Sequence, residues 1–259
     1  MLKFNLPLLW DRDYVAWLNG LDDLHSVYFN LPTSLIPDAR VNSNFQQYTD
    51  VKNYLSLLSK RTKKYLTLNS RFTPLSYWNK QHLTQLINVL LDLKSSNLLD
   101  GILYLDAYLL TYLLTTTPTL ATLDFIPSIN TMSYSLDAIN RQLTFIQNLI
   151  GKLPTTFVLD RSLNRNLEQL INVSTYLKHQ NILVEVLVNE GCLLHCPYKI
   201  NHDLLISQFS DQSIAFSVYT HSIQPSIDIY NANTTLGCLK DFKNNPSEII
   251  RSPFIRPED

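Results

Sequence analysis

The chain has 259 residues, 45% of them hydrophobic and including 14 Tyr and 11 Phe, enough for the core of one large domain or two small ones. Its net charge of −1, with acids and bases interspersed, gives no basic footprint of an autonomous nucleic-acid binder. The 5 glycines cannot supply a glycine-rich phosphate loop, and 3 cysteines, an odd number without an export signal, argue for a reducing cytoplasm over a disulfide framework.

In chain order, the opening "MLKFNLPLLWDRD" carries one Lys, an apolar patch broken by Pro7, and then Asp11 and Asp13 where a signal peptide would place small residues. Runs such as Leu86 to Leu93 are too short or too interrupted to span a bilayer, so no membrane span is expected. From about residue 25 to residue 190, β-branched or aromatic runs alternate with longer helical patterns, which implies parallel strands joined by helical crossovers. The sequence predicts strands at His25–Phe29, Tyr65–Asn69, Asp100–Asp106, Leu123–Asn130, Thr156–Arg161 and Val184–Asn189. Between them it predicts helices at Tyr48–Lys60, Asn79–Ser95, Ala107–Thr115, Tyr134–Leu149 and Asn164–His179. Leu136, Ile139, Leu143, Ile146 and Leu149 recur at helical spacing in the fourth of these.

Repeated βα units of about thirty residues suit an α/β TIM-type (β/α)8-like barrel better than an open doubly wound sheet, which would also need a glycine-rich first turn. No linker divides the chain, so residues 1–259 read as a single barrel-like domain, loosening from about residue 210 into a polar, turn-rich region that contains Cys238. Short strand patterns at Ile214–Val218 and Ile249–Arg251 fall in that region. Closure of eight strands then needs strands the pattern does not reveal, so the barrel is expected to be incomplete or atypically closed at its C-terminal end.

The carboxyl ends of barrel strands form the active-site floor. Here they are polar: Asn69 and Arg71, Asp106 and Tyr108, Ser128 and Asn130, Asp160, Arg161 and Arg165, then Asn189 and Glu190. Glu190 and Asp106 are the candidate catalytic carboxylates, and Asn69, Asn130, Arg161, Arg165 and Asn189 the candidate substrate-binding residues; either arginine could hold a carboxylate in a bidentate contact. The plain alternative is that such residues start loops and cap helices, as Asp106 and Asn164 could.

"NEGCLLHCPYK" places Cys192 and Cys196 after the sixth predicted strand with His195 between them; His202 follows, and Gly237 precedes Cys238 as Gly191 precedes Cys192. Glycine lets backbone approach a bulky ligand and leaves amides to point at sulfur. The three thiols could hold three irons of a [4Fe-4S] cluster. With His202 or His195 they could instead form a Cys3His zinc site, and they could also be three quiet buried thiols. No further cysteine stands three positions after Cys196, where Lys199 lies, which removes the radical-SAM pattern; no G-x-S-x-G elbow exists either.

"LDRSLNRNLEQL", "VEVLVNEGCLLHCPYKINH" and the closing "SPFIRPED" resemble the collagenase-like peptidase superfamily, which includes the UbiU-, UbiV-, TrhP- and RlhA-like barrel proteins. The resemblance covers the chain from about Asn69 to the end. It implies a TIM-type barrel and, for the better understood members, O2-independent hydroxylation of a small aromatic or nucleobase (RNA-base) substrate with a [4Fe-4S] cluster on four cysteines. By position, Cys192, Cys196 and Cys238 match three of those ligands; the fourth is missing, with His202 or His195 as substitutes. The superfamily's name implies the alternative, a peptidase-like hydrolase with zinc or with Glu190 as general base. A third implication is a non-catalytic partner subunit in a heterodimer with a related barrel protein.

Overall fold

A computed structural model of the chain describes residues 3–32, 34–36, 47–188 and 200. Its strands are β1 (Phe4–Pro7), β2 (Leu24–Phe29), β3 (Lys63–Leu68), β4 (Gly101–Tyr104), β5 (Asp124–Pro127), β6 (Thr156–Val158) and β7 (Leu183–Glu185). The helices are α1 (Arg12–Asn19), α2 (Tyr48–Leu57), α3 (Lys80–Ser95), α4 (Ala107–Thr116), α5 (Leu136–Ile150) and α6 (Leu167–His179). The first five strands form one parallel sheet in sequence order, and β6 pairs parallel with β7. Because parallel neighbours need a crossover, each strand is followed by a helix before the next one pairs with it.

The local sequence explains most of these elements. Helix α3 begins where the Asn79 side chain accepts from the His82 amide, and it buries Leu83, Leu86, Ile87, Leu90 and Leu93 at spacings of three and four. Helix α5 starts on the Ser135 cap and stops at Gly151, whose φ of 75° is a left-handed conformation that glycine adopts without a Cβ penalty.

Two faces of the strands go to different cores. Phe29, Leu66, Leu68, Ile102, Tyr104 and Phe125 pack against α1 to α4 in one large apolar cluster, while Phe157 and Leu159 pack with α5 and α6 in a second. The alternate residues Tyr65, Leu103, Ile126 and Val158 form a third, smaller cluster on the opposite face, as period-two alternation requires. Strands from both sheets therefore share one inner face, and β5 lies beside β6. Glu185 on β7 accepts from Asn5 Nδ2 on β1 with both carboxylate oxygens at 2.9 Å, tying together the two ends of the series of seven described strands.

Sequence and structure agree on the six predicted strands and five predicted helices, with ends differing by a few residues. The predicted strand ends beyond Leu68, Tyr104, Pro127 and Val158 turn into loops and tight 3-10 turns, where capping bonds replace the ladder. Strand β1 and helix α1 are additions. Pro7 interrupts the β1 pattern, yet proline is tolerated here because β1 pairs within its sheet with β2 alone. The patterns at Ile214–Val218 and Ile249–Arg251 lie outside the described residues, as does the Cys238 region. The fold is mixed α/β with parallel strands and outer helices in the manner of a (β/α) barrel.

Candidate functional site

The inner-face parity of Tyr65 and Ile126 runs on past the strand ends to Asn69 and Ser128. Strand β4 separates β3 from β5, so side chains from their ends meet only over a concave inner face. They do meet: Ser128 Oγ donates to Asn69 Oδ1 in a short bond, and Asn130 Nδ2 donates to the same oxygen at 3.2 Å. Arg161, following β6, donates to Asn130 Oδ1 at 2.7 Å, and Arg71, following β3, donates to the Asn130 carbonyl. Asn69, Ser128 and Asn130 are each more than nine-tenths buried.

This network fixes its own amide orientations. A guanidinium can only donate, so the Asn130 atom facing Arg161 is the oxygen and its Nδ2 must face Asn69. The Asn69 atom that receives it is therefore Oδ1, and Ser128 donates to it as well. Among the described residues the buried side-chain atoms without a hydrogen-bond partner are Asn5 Oδ1 and Asn164 Oδ1; the atoms of this network are not among them. The result is a polar network that joins the segments following β3, β5 and β6 and takes in two guanidinium groups.

Asp106 stands at the same rim in a different role. Its Oδ1 accepts from the Tyr108 and Leu109 amides at 2.9 and 3.0 Å, capping α4, and its Oδ2 accepts from Thr73 Oγ1 at 2.7 Å. That bond draws the loop after β3 against the start of α4. Asp160 likewise accepts from the Ser162 amide at 2.8 Å, starting the tight turn Arg161–Arg165. Asn164 is not the cap of α6: Asn166 accepts from the Gln169 amide, and Asn164 Nδ2 instead donates to the Leu187 carbonyl at 2.6 Å.

The predicted residues Asn69, Asn130 and Arg161 are thus brought together, joined by Arg71 and Ser128; Asp106 lies on the rim as a cap, and Arg165 sits in the turn that follows Asp160. Asn189, Glu190, Cys192, His195, Cys196, His202 and Cys238 lie outside the described residues. Among the described residues, no group of three His, Cys, Asp or Glu side chains could hold a metal ion. The strand-end reading passed over Thr73 and the Asn5–Glu185 pair. A lone carboxylate inside "VEVLV" was the available signal for Glu185; Asn5 had none, since its strand was not read.

The electrostatics of two tyrosines, Tyr65 on the inner face and Tyr104 on the helix-covered face, follow burial. The Tyr65 hydroxyl is pushed well above its ordinary range by burial first and then by Asp124, and burial alone raises Tyr104. Both stay protonated at neutral pH and serve as hydrogen-bonding groups, Tyr104 donating to Gln142 Oε1 at 3.0 Å.

Compared with known proteins, the chain is 33% identical over 101 residues to an uncharacterized protease of Methanocaldococcus jannaschii, a match covering 39% of this chain. The match spans 26% of the length of that relative. The fold superposes on the solved structure of the U32 peptidase Mk0906 with a TM-score of 0.58 at 14% identity, covering 83% of this chain and 79% of that one. At that identity the likeness is one of fold. No family model matches the chain.

Proposed function

We propose that the chain is a member of the collagenase-like (U32) peptidase superfamily and a peptidase-like hydrolase working at the carboxyl-end mouth of its strands, a reading that its likeness to an uncharacterized protease and to the fold of a U32 peptidase supports. What supports this most is the gathering of Asn69, Ser128, Asn130, Arg71 and Arg161 into one network over the inner face, where barrel enzymes bind substrate. In this reading the network orients the substrate. Asp106, occupied as a helix cap, positions the loop after β3 and does not move protons. Glu190, which follows β7 in the chain, is proposed as the general base that activates water. Asn189 and Arg165 are proposed as further binding groups. Closure into a full eight-stranded ring belongs to the same proposal.

The test is cleavage of a peptide library by the purified chain, read by mass spectrometry. Wild-type protein is expected to release defined products, and Glu190→Gln to lower the rate roughly a hundredfold to ten-thousandfold, the usual share of a general base. An intact library after prolonged incubation would overturn the reading.

The iron–sulfur hydroxylation reading places its ligands on Cys192, Cys196 and Cys238, with His202 as a fourth, and zinc would use the same set. Those residues lie outside the described ones, among which no group of three His, Cys, Asp or Glu side chains could hold a metal ion. Iron, sulfide and zinc content of protein prepared without air tests it. The small aromatic or RNA-base substrate and the heterodimer with a related barrel protein stand or fall with that result. Among the described residues, no helix is long and apolar enough to cross a membrane.

A further inference from the structure

We propose that Asn164 is a positioning residue of the mouth: its side-chain amide takes the place of a strand peptide group and holds the chain leaving β7 at two points, the Leu187 carbonyl and the main-chain N–H of Asn189. The clamp rests on the hydrogen bonds around the ends of β6 and β7; its use in presenting Asn189 to a substrate rests on the hydrolase reading.

The first observation is the ladder between β6 and β7. The Leu183 N–H donates to the Thr155 carbonyl and the Leu159 N–H to the Glu185 carbonyl, both at 2.9 Å. Parallel bonds are evenly spaced. Continued at that spacing, the ladder would run from the Arg161 N–H to the Leu187 carbonyl, and the Asn189 N–H would return to the Arg161 carbonyl. Instead Asp160 accepts from the Ser162 amide, and β6 gives way to the turn Arg161–Arg165. The Leu187 carbonyl receives Asn164 Nδ2 in place of the strand amide, at 2.6 Å.

The second observation is the other half of that side chain. A carbonyl only accepts, so the atom facing Leu187 is Nδ2, and Oδ1 occupies the other end of the amide. Asn164 Oδ1 is buried, and among the described residues no donor meets it. An acceptor withdrawn from water is costly unless a donor reaches it. A strand peptide group in this place would offer its carbonyl to the N–H two residues past Leu187, so the ladder itself names the donor as Asn189.

A third observation is the anchoring of the turn. Leu163, 1% exposed, is set in the core of Phe157, Leu159, Val173 and Leu177, and its amide donates to the Asp160 carbonyl at 3.0 Å. The same turn carries Arg161 to Asn130 Oδ1. On β7, Glu185 stands in register with Val158 of the inner face, and residues two apart share a face. Asn189 has the parity of Glu185, so a chain held in register this far turns the Asn189 side chain toward the Asn69, Asn130 and Arg161 network.

The test is amide hydrogen exchange of the full chain, resolved to single residues by fragmentation mass spectrometry. In the wild type the Asn189 amide is expected to exchange at least about a hundredfold more slowly than in the unfolded chain. Asn164→Leu, which has neither donor nor acceptor, should speed that exchange at least about tenfold, while Asn164→Asp keeps an acceptor and should retain part of the protection. Asn164→Ser, whose hydroxyl is too short to span the two points, carries the same expectation as Asn164→Leu should the latter not fold. A wild-type Asn189 amide exchanging as fast as in the unfolded chain would overturn the clamp, and so would undiminished protection in a folded leucine or serine variant.

The use of the clamp is read in the peptide-library assay. Asn164→Leu should lower kcat/KM about tenfold in the wild-type background and less than about twofold once Asn189→Ala is present, a non-additivity that a merely structural loss would not show. Equal losses in the two backgrounds would overturn the positioning role. Cleavage by a wild type whose Asn189 amide is unprotected would sink the clamp and leave the hydrolase standing. A protected amide beside an intact library would uphold the clamp and remove its use.

Discussion

Asn130 is the residue on which the mouth turns, since its Oδ1, Nδ2 and carbonyl oxygen meet Arg161, Asn69 and Arg71 respectively. Asn130→Ala should therefore remove the side-chain bonds to Arg161 and to Asn69 at once, while the main-chain carbonyl that accepts from Arg71 remains. Calorimetry should show a loss of peptide binding larger than that of Asn69→Ala alone. Elsewhere single residues act on stability. A Cβ built at Gly101 would lie 2.5 Å from the Asp124 carbonyl and 2.8 Å from Tyr65 Cε1, so Gly101→Ala overpacks the inner face. It should cost about 1–3 kcal/mol in chemical denaturation. His25 supplies a pH dependence. Burial first, then the charges of Lys3 and Lys63, lower its pKa below the ordinary 6.5. The unfolded chain takes up that proton before the folded one, so the contribution to stability is present above pH 6.5 and is lost as pH falls through the folded value. Between pH 7 and pH 5 the wild-type denaturation midpoint should drop further than that of His25→Gln.

At the scale of elements, helix boundaries follow their caps. Asn79, Asp106, Ser135 and Asn166 each accept an amide hydrogen at a helix start, and Asn79→Ala should cost about 1 kcal/mol. Leu86, fully buried between α3 and the sheet, should cost about 2–5 kcal/mol as Leu86→Ala. The strands were legible for the same reason the helices were: one face of each must be apolar, and residues such as Ile102, Phe125 and Phe157 show it. β1 escaped because four residues, one a proline, carry too little pattern. The strand ends read too long because Asn69, Asp106 and Arg161 continue the chain past the last ladder bond; extended backbone and a capped turn look alike until the hydrogen bonds are known.

For the molecule as a whole, the Asn5–Glu185 bond joins residues 180 positions apart and ties β1 to β7. A double-mutant cycle of Asn5→Ala and Glu185→Ala should show a coupling of about 0.5–3 kcal/mol in unfolding free energy; strictly additive losses would remove the tie. What the sequence by itself determined was the succession of strands and helices and the polar character of each strand end, because periodicity, caps and turn residues act over a few neighbours. Asn69, Asn130 and Arg161 could be nominated from it one by one. Only the tertiary structure decided that they share a single network with Arg71 and Ser128 and that Asp106 is held as a cap. Those outcomes depend on how far β3, β5 and β6 curve toward one another, a quantity set by packing across the whole sheet and written in no short stretch of chain.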